Sequence, residues 1–265
     1  MISFGPSEEQ EVAREAMREF AASAIRPLAR PADESGAVPD AFLEEAWQLG
    51  LTSTQISEAF GGGGEARSPI TNALVLEELA FGDAGLALAA LAPSLFAMPV
   101  VEFGTDAQKR EWLPAFCGER YHAGSLALVE PGPCFDPVGL RTVAERKGDA
   151  WVLSGAKCFV PMADRAQQFL VLARTGDGAG LDAVQAFVVP RDAAGLAISA
   201  PEKKLGLKAL PTGALALERV ELPASARLGG DAGCDARRIV NLSRTALGAV
   251  LVGLSRAVLE YAIPY

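Results

Sequence analysis

The feature that most constrains the fold of this 265-residue chain is a change of hydrophobic period near residue 123. Upstream, apolar residues recur at helical spacing between capping signals. Ser7-Glu8-Glu9-Gln10 has the spacing of a capping box, and Val12, Ala16, Phe20 and Ala24 follow until Pro27. Pro39 opens a second helix carrying Phe42, Leu43, Ala46 and Leu49, closed by Gly50. Ser68-Pro69 caps a third over Ile70 to Ala80, and Thr105 caps a later one ending at Gly118. Downstream come short β-forming runs punctuated by Gly, Pro and Asp, among them SLALVE, AWVLSG, KCFV, QFLVLAR, AVQAFVVP and ALALERVELP. Such runs predict an antiparallel sandwich or barrel. Residues 235–262 return to helical period. The expected class is α+β multidomain: a helical N-terminal domain over 1–122, a β middle domain over 123–229, and the start of a helical bundle over 230–265.

Two helical stretches need covering. Between Asp83 and Glu102 run eighteen uncharged residues, the lower limit for a membrane span. Pro93 and Pro99 interrupt them and no basic flank orients them, so a buried helix broken near Pro93 is expected. Residues 246–254, ALGAVLVGL, are apolar on every side, the pattern of a buried helix. The sequence stops at Ile263-Pro264-Tyr265, and leaving such a helix bare would forfeit on the order of 15–30 kcal/mol as an upper bound. A missing remainder or a partner is therefore expected to cover it, as a homo-oligomer or a hetero-oligomer.

Charge and rare residues exclude several functions. Lys and Arg number 24 against 33 acidic residues, a net charge of −9 without a basic run, which argues against nucleic acid. Half the residues are hydrophobic, enough for a sizeable core. Cys117, Cys134, Cys158 and Cys234 lie far apart without a C-x-x-C pair, so neither a zinc cage nor a disulfide framework is expected. A single histidine, His122, argues against most metal sites and Ser-His schemes, and reads as a loop or domain-edge residue. MISFGPSEEQ lacks a basic then apolar leader, and a cytoplasmic location is expected.

Local motifs are mostly structural. Gly61 to Gly64 satisfy a G-x-G-x-x-A pattern with Ala66, but no strand precedes them, so a turn is expected. Lys157 reads as a strand-edge cation. Val129-Glu130-Pro131-Gly132-Pro133-Cys134-Phe135-Asp136 ends a strand at a Pro/Gly turn whose backbone could meet a ligand.

That turn has companions in a fixed order. Ser57-Glu58-Ala59-Phe60-Gly61-Gly62, Glu77-Glu78-Leu79-Ala80 and Phe103-Gly104-Thr105-Asp106-Ala107-Gln108-Lys109 precede it. Trp151 to Pro161, Lys204-Leu205-Gly206, Val220-Glu221-Leu222-Pro223, and Arg244 with Gly248, Gly253 and Tyr261 follow it. Together they resemble the acyl-CoA dehydrogenase family over essentially the whole chain. Val129 to Asp136 looks like its T-E-P-x-A-G-S-D segment, and Trp151 to Pro161 like its W-x-[IL]-x-G-x-K-x-[WF]-I-T segment.

The resemblance implies an FAD oxidoreductase of fatty acid metabolism that desaturates acyl-CoA thioesters, with a glutamate removing the α-proton and flavin taking the β-hydride. It implies flavin contacts at Leu126, Ala127, Leu128, Val129, Phe135, Phe159, Val160 and Pro161, and substrate contacts at Asn241 and Arg244. Three family donors are replaced, by Val129, Phe135 and Pro161. At ~0.5–1.5 kcal/mol each, their loss implies FAD held tenfold to a thousandfold more weakly, or lost. Ser243 stands where some members carry the base, so no catalytic residue and no metal ligand is assigned. The alternative is a non-catalytic subunit of the same family that supports or completes a partner chain. Neither acyl-chain length nor the electron acceptor is legible.

Overall fold

The computed structural model describes residues 5–176 and 178–264; Met1–Phe4 of the leader reading and Tyr265 lie outside the described residues. The capping box at Ser7 forms as expected, with Gln10 returning its side chain to the Ser7 amide, and starts α1 (Glu8–Phe20). The helical path does not end at Pro27. It passes through a π turn, Ala21–Ile25, into α2 (Arg26–Ser35), with Pro27 just past the point where the two meet. Next come α3 (Asp40–Trp47), α4 (Pro69–Gly82) and α5 (Ala84–Phe103). A short α6 (Asp106–Trp112) follows under a second capping box, Thr105 with Gln108.

α5 corrects the expected break, because it runs unbroken through Pro93 and Pro99. Pro93 cannot donate to the carbonyl of Ala89, and the Tyr121 hydroxyl donates to that carbonyl instead, at 3.2 Å. Burial of Leu86, Ala89, Phe96 and Val100 then holds the helix despite the prolines.

The β part is one sheet curled on itself. Its strands are β1 (Gly124–Ala127), β2 (Val143–Lys147), β3 (Ala150–Pro161), β4 (Gln168–Thr175), β5 (Val184–Pro190), β6 (Leu196–Ile198) and β7 (Thr212–Pro223). The order is β1-β4-β2-β3-β7-β6, with β5 also on β4. Most pairs are antiparallel as expected, but β1 and β2 both run parallel to β4, at its opposite ends, so the sheet is mixed. AWVLSG and KCFV form one strand rather than two, bent by irregularities at Leu153/Gly155 and Lys157/Val160. At the first bend Gly155 has φ 152°, and a Cβ there would lie 2.6 Å from the Thr142 hydroxyl. Leu126, Leu170 and Val188 pack one sheet face on Phe96 and Phe116 from the helices. Trp151, Phe169, Phe187 and Leu215 pack together on the other.

The chain closes with α7 (Ala236–Ala262), capped by Asp235 and laid on α4. Gly253 permits the close approach, since a Cβ there would lie 2.1 Å from the Glu77 carbonyl. Arg256 reaches Glu77 and Glu78 at 2.5 Å and stacks on Phe81 at 4.5 Å. Glu78, 1% exposed, also accepts from Arg18 of α1 at 3.0 Å. Val250, Gly253 and Ala257 are buried, whereas Leu247, Leu251, Val252, Leu254, Val258 and Leu259 are exposed. Only one side of the all-apolar helix is covered. Among the described residues α5 and α7 are both long and apolar enough to cross a membrane, by length and composition alone; α5 is mostly buried within the protein.

Candidate functional site

β1 leaves the edge of β4 after Ala127 and the chain returns to that edge at Val143. The intervening loop holds the Val129–Asp136 turn, and β3 closes over its first residues. The Cys158 amide donates to the Val129 carbonyl at 2.9 Å. Lys157 Nζ donates to the Leu128 carbonyl at 3.2 Å and to Glu130 Oε1 at 2.9 Å. Glu130 also accepts from the amides of Thr142 (Oε1, 2.9 Å) and Arg141 (Oε2, 2.7 Å). The Arg141 guanidinium donates to the Pro131 carbonyl.

Lys157 is therefore not a strand-edge cation. It is 0% exposed, on a strand flanked by β2 and β7, and its partner Glu130 is 6% exposed. The bend at Gly155 and the closure over residues 128–130 turn this part of β3 inward. Burial would push the Glu130 carboxyl up, but the donors from Thr142, Arg141 and Lys157 together bring it down to about 2. For Lys157 burial outweighs the pairing and brings the ammonium down to about 8. Both groups are charged at neutral pH.

The second bend of β3 shapes the other half of the site. Phe159 has φ 51°, left-handed for a residue with a Cβ, and its amide donates to both oxygens of Glu202, at 3.1 and 3.3 Å. Its ring is 54% exposed. Leu128 and Val129, tied to β3 through Lys157 and the Cys158 amide, and Pro161 in the same bend are half-buried, and the turn Pro131–Asp136 with Phe135 is exposed.

The other expected site residues divide by burial. The side chains of Leu126, Ala127 and Val160 are in the core, so only their backbone remains for a ligand. Asn241 and Arg244 are exposed on α7, and among the described residues no hydrogen bond or ion pair joins them to the turn. Asn241 borders a shallow depression of about 320 Å³ with Asp235, Arg237 and Arg238. Ser243 Oγ donates to the Ile239 carbonyl at 3.0 Å, an ordinary helical back-bond. His122 lies just before β1, edge-on to Phe116, where burial lowers its pKa. The Gly61–Gly64 run is a turn, and a Cβ on Gly62 would lie 2.1 Å from the Ile56 carbonyl.

Sequence reading missed Glu130, Arg141, Thr142, Lys157 and Glu202 as one arrangement. The available signal was a lysine between Ala156 and Cys158 in an otherwise apolar strand.

The profile of the acyl-CoA dehydrogenase N-terminal domain matches residues 7–120, and that of the middle domain residues 125–220. The Bacillus subtilis protein named "Probable acyl-CoA dehydrogenase YngJ" is 34% identical over 100% of this chain and 70% of its own length. The mitochondrial short/branched chain specific acyl-CoA dehydrogenase of Bos taurus is 30% identical over 98% of this chain and 60% of its own. A glutaryl-CoA dehydrogenase from Mycobacterium smegmatis, solved in complex with FADH2, superposes with a TM-score of 0.84 at 29% identity, over 98% of this chain and 66% of that one. The chain thus spans 60–70% of the length of these relatives. Two successive profiles, and a superposition that takes in helices, curled sheet and α7 alike, agree: the chain belongs to the acyl-CoA dehydrogenase family.

Proposed function

We propose that the turn after β1 and the bulge of β3 form one wall of an FAD site, in an oxidoreductase that desaturates acyl-CoA thioesters. The observation that carries this reading is the exposed Phe159, next to Cys158 whose amide holds Val129 and two residues before Pro161, on a backbone anchored by Glu130, Lys157 and Glu202. A flat apolar patch next to an exposed Pro/Gly backbone suits a planar heteroaromatic ring. Phe159, Val129 and Pro161 would hold one face of the ring, and backbone groups of Leu128–Pro131 would meet its polar edge, because Val129 and Pro161 carry no hydroxyl. FAD, when bound, supplies the hydride acceptor. Asn241 and Arg244 offer an amide and a cation to acyl-CoA.

The division into 1–122, 123–229 and 230–265 belongs to this proposal, as does a cytoplasmic setting. So does a partner that supplies helical-bundle residues, from a second copy or another chain. The exposed side of α7 supports it, since a contiguous apolar face of that length marks an interface. A non-catalytic subunit of the same family is the second reading, favoured by Ser243, whose hydroxyl is bonded to its own helix.

Fluorescence titration of the chain with FAD tests the site: saturable binding that weakens in Phe159→Ala supports it, and binding indifferent to that change refutes it. Anaerobic mixing of the flavin-loaded chain with acyl-CoAs separates the two readings. Bleaching at stoichiometric substrate identifies a complete enzyme, and an unchanged spectrum is expected for a chain that needs a partner. Light scattering on the chain and on Leu251→Asp tests the α7 face. Association lost in the variant is expected, while a monomer in both that binds no hydrophobic dye removes the partner.

A further inference from the structure

We infer that Glu130 and Lys157 are a positioning pair that clamps the cofactor-facing backbone at Leu128 and Val129, an inference that rests on the FAD reading above. The pair is placed for this and for little else. Lys157 Nζ bridges Glu130 Oε1 and the Leu128 carbonyl, so one ammonium spans the residues on either side of Val129. Val129 itself is tied to β3 through the Cys158 amide. Glu130 takes the amides of Arg141 and Thr142, which fixes the far end of the loop as it re-enters the sheet. Residues 128–130 are thereby held between β3 and the approach to β2 although they belong to no strand.

Apolar filling would seat this junction without such a device. Buried ion pairs add little net stability over well-packed neutral residues, because desolvation offsets the attraction. A pair that is worth little as a stabiliser but fixes two carbonyls and two amides at a ligand-facing turn acts through geometry. One partner lies on each side of the wall: Lys157 is two residues before Phe159, and Glu130 is next to Val129. Neither touches the cofactor in this arrangement; both act through the backbone that does.

The test uses the whole chain and the neutral variant Glu130→Gln/Lys157→Met, which keeps the volume and an acceptor for Thr142 but removes the bridge to Leu128. Three quantities are read: the thermal midpoint, the FAD dissociation constant by flavin fluorescence, and residue-resolved amide exchange. A midpoint within a few degrees of the parent is expected, with FAD held about tenfold more weakly and exchange about tenfold faster at the amides of residues 128–130, Arg141 and Thr142 alone. A pair that only stabilised would change exchange uniformly or not at all, so unchanged FAD affinity with unchanged local exchange overturns the inference. If the parent chain binds no FAD, the proposed function fails, and the clamp is judged by exchange: local acceleration sustains it and none refutes it. Should the double variant not fold, the parent chain itself is read: protection of the Arg141 and Thr142 amides, which donate to Glu130, is expected to match that of β3, and protection as low as that of the exposed turn up to Asp136 refutes the clamp.

Discussion

Among the described residues two carboxylates are buried, and they are satisfied in different ways. Glu78 on α4 is met by long side chains, Arg18 from α1 and Arg256 from α7, each partly open to solvent. Glu130 is met by two backbone amides and a lysine that has no solvent exposure, with the exposed Arg141 guanidinium further off at 3.8 Å. The first arrangement is a clasp between helices and depends on α7 staying docked. The second ties the loop after β1 to β3 and to the approach to β2, and cannot be undone without opening the sheet. Buried charge can therefore clasp helices from their exposed side or seat a loop within a sheet, and the identity of the donors shows which.

Lys157→Met should have the largest effect, because it removes the buried cation at 2.9 Å from Glu130 and leaves only the exposed Arg141 guanidinium at 3.8 Å. A loss of about 3–5 kcal/mol is expected in urea unfolding monitored by circular dichroism. A loss as small as that of a surface substitution would place Glu130 in contact with water and void the contrast with Glu78. Arg256→Ala comes next, at about 1–3 kcal/mol, since Arg18 still accompanies Glu78. Its effect should be local: amide exchange accelerates along α7 while β3 and β4 keep their protection.

Acid sharpens the same comparison. Burial works to raise both carboxyls, yet hydrogen bonds to Arg256 and Arg18 leave Glu78 lowered, and those from Thr142, Arg141 and Lys157 bring Glu130 to about 2. A carboxyl lowered by folding contributes stability above its unfolded value near 4.5, lost as pH falls through its folded value. Stability should thus decline as pH falls from 4.5 towards 2, with protection lost both along α7 and in the loop around Glu130. Stability unchanged over that range would show that neither carboxylate gains from its partners. The smallest effect is expected from Val129→Thr, which restores a hydroxyl beside the clamped backbone. FAD should bind more tightly by up to about 1 kcal/mol in a fluorescence titration, with the thermal midpoint unchanged.

Local chemistry was legible in the sequence wherever the physics is local. The capping boxes at Ser7 and Thr105, the start of α4 at Ser68 and the period change near residue 123 all depend on neighbours within a few positions. The motif order around Val129 and Trp151 identified the family for a related reason, because spacing along a chain survives without coordinates. The bareness of α7 was also anticipated, since a helix apolar on every side cannot be covered by one neighbour.

What only the tertiary structure decided are relations between residues far apart in sequence. Pro93 breaks no helix because Tyr121, 32 positions away from Ala89, takes over the freed carbonyl. β1 and β2 run parallel to β4 because the loop from 128 to 142 carries the chain between the two ends of one edge. Lys157, polar in a strand, looked like an edge residue until Glu130, 27 positions earlier, was found beside it. Charge type and strand period are properties of a segment, whereas desolvation and its compensation depend on what the fold brings alongside.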